Sequence, residues 1–141
     1  MKDHPHLNRF IVAQETEYEK ALFQIKQGKK TGHWMWYIFP QISGLGLSET
    51  SVYFAIKDMA EVNKYLSHPL LGPRLVEISY ELLKLKTNDA ELVFGKIDSL
   101  KLQSSMTLFS MAEKPSPVFQ LVLDKFFDGK KDLNTIRIAN K

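Results

Sequence analysis

Apolar side chains recur along this chain at helical spacing. Tyr18, Ala21, Leu22 and Ile25 fall on one face; Met59, Val62, Tyr65 and Leu66 fall on another; and Leu71, Leu75, Ile78 and Leu82, with Leu85 one turn on, trace a longer stripe. Residues able to accept a hydrogen bond stand just ahead of these stripes, where the first amides of a helix lack partners. Thr16 with Glu19 makes a capping box, so the spacing predicts a helix over about residues 16–27, either starting there or continuous with an earlier turn through Phe10 and Ala13. Asp58 with Glu61 and Asn88 with Glu91 repeat the pattern. Ser48 caps a segment through Lys57, and Asp98 or Ser99 opens a helix containing Leu102, Met106 and Phe109.

Helix stops are equally regular. Gly28 and Gly129 stand where a left-handed residue ends a helix, each followed by two lysines that complement the negative end of the dipole. Pro69 and Pro73 bound the start of the long stripe, and Pro40 limits a short helix over His33–Phe39. Ser116 and Pro117 begin a helix carrying Val118, Leu121, Val122 and Phe126, and Asp132 caps a last one with Leu133, Ile136 and Ile138. One stretch is ambiguous: Ser51–Ile56 has strand-like composition inside the segment that Ser48 would cap. The pattern as a whole predicts an all-α fold, a compact orthogonal bundle of many helices with at most a minor hairpin. It predicts one domain over residues 1–141, with residues 1–7 a mobile tail.

Composition narrows the function more than the fold. Of the 141 residues, 44% are hydrophobic and 25% charged, as in an ordinary globular protein. The net charge of +3 is too small to suggest a nucleic-acid-binding stripe. The absence of cysteine excludes disulfides, thiolate catalysis and cysteine-based zinc frameworks, and fits a cytoplasmic protein. The N-terminal residues lack the apolar core of a secretory signal, and no run approaches the roughly 18 apolar residues of a membrane span.

Familiar chemical motifs fail on inspection. Gly28-Lys29-Lys30-Thr31 lacks the upstream glycine of a phosphate loop, since position 23 is Phe, and Gly44-Leu45-Gly46 has Glu49 where a dinucleotide fingerprint needs a third glycine. The histidines have no metal-binding spacing, so neither a metal nor a cofactor is expected, and no nucleophile elbow surrounds Ser104 or Ser105.

What stands out is His33-Trp34-Met35-Trp36-Tyr37-Ile38-Phe39-Pro40-Gln41, which holds both tryptophans. It is either a keystone of the core or the wall of a binding site. On a helix His33 shares a face with Trp36 and Tyr37 while Trp34 points elsewhere, so at least one tryptophan is expected in the core. Gln14, Gln41, Tyr53, His68, Lys101 and Ser104 are polar groups set among apolar neighbours; they either converge on a pocket or separately satisfy buried backbone.

The same residues carry a family resemblance. The aromatic segment, Gly44-Leu45-Gly46 with Ser48, His68-Pro69-Leu70-Leu71-Gly72-Pro73-Arg74-Leu75, and Ser104-Ser105-Met106-Thr107-Leu108-Phe109 resemble the bacterial DUF1810 family over nearly the whole chain. The resemblance implies an all-α domain with no established activity and no assigned catalytic residue. Its occasional calpastatin label sits badly with so globular a composition. The expectation is a pocket that binds, or binds and acts on, a small polar or nucleotide-like metabolite, with His33, Trp36, Tyr37, Gln41, Lys101 and Ser104 as candidate contacts. The competing expectation is a protein-interaction module built on an exposed aromatic patch. Neither a reaction nor an oligomeric state follows from the sequence.

Overall fold

The computed structural model describes residues 7–141. It is all-α: the described residues form α1 (Asn8–Lys26), α2 (Met35–Ile38), α3 (Glu49–Phe54), α4 (Met59–Ser67), α5 (Leu71–Leu83), α6 (Ala90–Phe94), α7 (Lys96–Ser110), α8 (Val118–Phe127) and α9 (Leu133–Ala139). α7 and α5 both pack on α8, and α1 and α4 pack on α5. α6 and α9 flank α7, and α2 joins α1 to α3. No helix among the described residues is long and apolar enough to cross a membrane.

Capping chemistry sets most boundaries. Ser48, Asp58 and Asp132 each accept a hydrogen bond from the amide three residues on, and Ser116 accepts one from Val118. At α6 the cap is Asp89, one residue later than the sequence suggested; Asn88 instead accepts a hydrogen bond from Lys125 at 2.9 Å. The Thr16 capping box is not used. Phe10, Gln14, Tyr18, Ala21, Leu22 and Ile25 are all buried along one stripe, so packing extends α1 back to Asn8, and the Thr16 hydroxyl turns to Glu17. α7 likewise opens earlier than expected, after Gly95 at φ 82°, which puts Asp98 in its first turn. The short helix expected over His33–Phe39 is confined to Met35–Ile38.

The ambiguous stretch takes both conformations. α3 ends at Phe54, and Ile56 then pairs with Ile42 in a single parallel bridge through Ile56 N–H to Gln41 O and Ser43 N–H to Ile56 O, both 2.8 Å. Of the expected mobile tail, residues 1–6 lie outside the described residues, whereas Leu7 is buried in the core.

Two aromatic assemblies organise the interior. One runs from Phe54 through Phe10, Tyr65 and Phe109 to Phe119, linking α3, α1, α4, α7 and α8 at centroid distances of 5.2 to 5.9 Å. The other is a triangle of Trp34, Phe39 and Phe94, with edges of 6.2, 6.4 and 6.0 Å. Where α5 begins, Gly72 lets two backbones approach: a Cβ there would lie 2.1 Å from the Leu66 carbonyl oxygen.

Trp34 is buried and Trp36 only half-buried, so the two tryptophans face different surroundings as expected. Trp34→Ala should therefore lower the unfolding free energy by about 3–5 kcal/mol in urea titration. Trp36→Ala should cost less than half of that.

Two tyrosine hydroxyls of the interior are paired. Gln14 donates through Nε2 to the Tyr65 hydroxyl at 3.1 Å, and the Tyr18 hydroxyl donates to Glu77 at 2.5 Å. Burial holds the Tyr65 phenol above its ordinary value of 10.0, and burial followed by the Glu77 carboxylate does the same for Tyr18. The unfolded chain releases these protons near pH 10 while the native state keeps them, so the stability they contribute is present below pH 10.0 and lost as pH rises past it. Alkaline loss of helical ellipticity should coincide with ionisation of these tyrosines in the ultraviolet. Tyr65→Phe should make stability fall less steeply across that range.

Candidate functional site

The aromatic segment is held from behind by one amide. The Gln24 Oε1 atom on α1 accepts three hydrogen bonds: from Thr31 N–H at 2.9 Å, Gly32 N–H at 2.9 Å and Trp34 Nε1–H at 2.8 Å. These satisfy the turn that follows α1 and the one polar atom of the buried indole. Gly32 is needed there, because a Cβ would lie 2.8 Å from the Trp34 ring. With Trp34 directed inward, Trp36 two residues later faces the other way, toward the first turns of α7.

Between this segment and the corner joining α6 to α7 lies a cleft of 460 Å³, lined by Lys30, His33, Met35, Trp36, the Phe94–Ile97 corner and Asp98. Lys30 is almost entirely buried. Its ammonium pairs with Asp98 at 2.8 Å, donates to the Gly32 carbonyl and lies 5.2 Å from the Trp34 ring centroid. Asp98 also meets Lys101 at 3.4 Å, and the Lys101 ammonium stands over the Trp36 ring, 5.0 Å from its centroid. His33 and Lys96 are exposed at the mouth. The Trp36 indole nitrogen is buried and has no hydrogen-bond partner. Three lysines and a histidine thus face one aspartate around a flat aromatic wall.

The six expected residues are only partly gathered. His33 and Trp36 line this cleft, and Lys101 adjoins it through its ammonium over the Trp36 ring. Gln41 lies behind Trp36, in a water-sized cavity shared with Gly46, Ser51 and Phe54. Tyr37 turns to another side, with its ring 5.2 Å from Phe54 and its carbonyl accepting from Gln14 at 2.7 Å; burial, then Glu17, raises its pKa. Ser104 sits deeper along α7, 3.0 Å from the Asp132 carboxylate that caps α9. Neither Ser104 nor the fully buried Ser105 is hydrogen-bonded to a histidine. Among the described residues no three of His, Cys, Asp and Glu are grouped so as to hold a metal ion.

Three residues of this architecture escaped the sequence reading. Gln24 lies on a helix surface with no motif around it. Lys30 looked like part of a helix terminator, and Asp98 like a cap. Only the Asp98 position near a helix start gave any signal.

Residues 4–139 match a family model described as protein of unknown function, DUF1810. The crystal structure of the conserved hypothetical protein Rv1873 from Mycobacterium tuberculosis is similar to the whole chain, with 39% sequence identity, a TM-score of 0.93 and coverage of 96% of each chain. No curated protein matches the sequence.

The triple acceptor gives the cleft a specific weak point. Gln24→Leu strands three donors, two of them backbone, and should cost about 1–3 kcal/mol in thermal or chemical unfolding. The Trp34 indole N–H resonance should shift in NMR spectra of this variant while the far-UV spectrum stays helical.

Proposed function

The chain belongs to the DUF1810 family, and we propose that it binds a small anionic metabolite bearing a flat ring, of the nucleotide-like kind, in the cleft beside Trp36. The observation that carries this reading is the Lys101 ammonium held over the face of a half-buried Trp36 at the wall of a cleft that opens to solvent. A planar group can stack against the indole, while Lys96, Lys101 and His33 offer donors and positive charge to an acidic substituent. Lys30 is spent on Asp98 and positions the floor. Recognition is the activity proposed, with no reaction assigned, and the setting proposed is the bacterial cytoplasm, consistent with a chain that has no cysteine. The interaction-module reading has its own support in the exposed Leu47, Val52 and Tyr53, which lie on and before α3 and do not line this cleft.

A metabolite library screened by thermal shift tests the reading. A true ligand at about 100 times its Kd should stabilise the protein by about 2.7 kcal/mol and perturb Trp36 fluorescence. His33→Ala and Lys96→Ala, both at exposed positions, should change intrinsic stability by less than about 0.5 kcal/mol yet abolish or weaken that shift. Hits that bind these variants as well as the parent would sink the assignment.

A further inference from the structure

A larger cavity lies elsewhere. It is an open groove of 680 Å³ between the first turns of α1 and the α3 segment, with Arg9 and Glu61 at its base and Val12, Val52, Tyr53 and Lys57 along its sides. Phe54 and Ala55 separate it from the small cavity behind Trp36, so it is distinct from the cleft discussed above.

Arg9 is unusual in how little of its hydrogen-bonding capacity is used. A guanidinium has five N–H donors. Arg9 spends Nη2 on the Ala55 carbonyl at 2.7 Å and the Glu61 carboxylate at 3.0 Å, while its flat face lies 4.3 Å from the Phe10 ring centroid. Nε is buried without a partner, and Nη1 makes no hydrogen bond to another described residue. Glu61 is engaged through one oxygen: Oε1 accepts from both Arg9 and the Lys57 backbone amide. The Glu61 carboxylate pairs with Arg9, and the Lys57 side chain, which also lines the groove, has no ion pair among the described residues. The 19-residue α1 adds its positive end here, having neither a side-chain cap nor an acidic residue in its first turn. Beside these positive groups stand apolar side chains exposed on the groove walls, Val12 at 60%, Val52 at 61% and Tyr53 at 60%.

Unspent donors, excess positive charge and an adjoining apolar wall together describe a receptor for an amphipathic anion. We infer that the Arg9 groove is a second ligand site, taking the carboxylate of a small organic acid whose apolar or aromatic body lies against Val12, Val52 and Tyr53. The acid group meets Arg9 Nη1 and the Lys57 ammonium as charge-assisted hydrogen bonds. Glu61 holds the guanidinium in place. The ring of the ligand can pack against Tyr53, which is itself fixed edge-on to Phe54 at 4.8 Å.

The test is an NMR titration of the intact protein with phenylacetate and its uncharged counterpart phenylacetamide. Phenylacetate is expected to shift the Arg9 Nε–H and the Val12 and Tyr53 amides saturably, and to bind about tenfold tighter than the amide. Arg9→Ala leaves Glu61 buried and unpaired and is a poor variant for that reason. Lys57→Gln and Val12→Glu, both at exposed positions, are the informative ones: each should weaken phenylacetate binding severalfold with an otherwise native spectrum, while His33→Ala in the other cleft leaves it unchanged. Equal binding of acid and amide, or no saturable shift at Arg9 up to about 10 mM, overturns the inference. So do shifts confined to the Trp36 indole, which would instead support the first cleft.

Discussion

The geometry of this protein depends on satisfying the indole nitrogen of Trp34. A tryptophan brings more apolar area to a core than any other residue, but its N–H cannot be left dry without cost. Gln24 resolves this with a single oxygen that also closes the turn leading into the aromatic segment. Once that indole is seated against Phe39 and Phe94, the direction of Met35–Ile38 is settled, and Trp36 is turned toward α7. The core and the candidate site are thus two faces of one short segment, and each limits what the other can become.

A second constraint joins this segment to the far half of the chain. Lys30 and Asp98 form a nearly buried ion pair, with the lysine also bonded to the Gly32 carbonyl and lying against the Trp34 ring. Such a pair contributes modest net stability, because desolvation offsets most of the attraction. Its effect is geometric. It fixes the first turn of α7 against the loop after α1, and through Lys101 it sets the charge above Trp36.

Local physics made much of the fold readable. Ser48, Asp58 and Asp132 cap helices through their own side chains, and the alternation of Trp34 and Trp36 follows from spacing. Where local signals erred, packing had overridden them: the buried stripe beginning at Phe10 carried α1 through the Thr16 box, and Gly95 allowed α7 to start before Asp98. The site was less legible. His33, Trp36 and Lys101 come together, but Gln41, Tyr37 and Ser104 are drawn to separate tasks, since a polar residue among apolar neighbours looks the same whether it serves a ligand or a buried carbonyl. Gln24 and Lys30 act across contacts that leave no periodic trace in sequence.

The single bridge between Ile42 and Ile56 has a consequence for how the protein could diversify. Two hydrogen bonds at its neck close the intervening chain into a lobe, and Phe54 pins that lobe to Phe10 on the main body. The cost of closing such a loop grows only slowly with its length. Residues between the neck and the pin can therefore be exchanged, lengthened or shortened as a cassette while the helical scaffold keeps its packing, so that relatives sharing one core could differ in what this lobe presents to solvent.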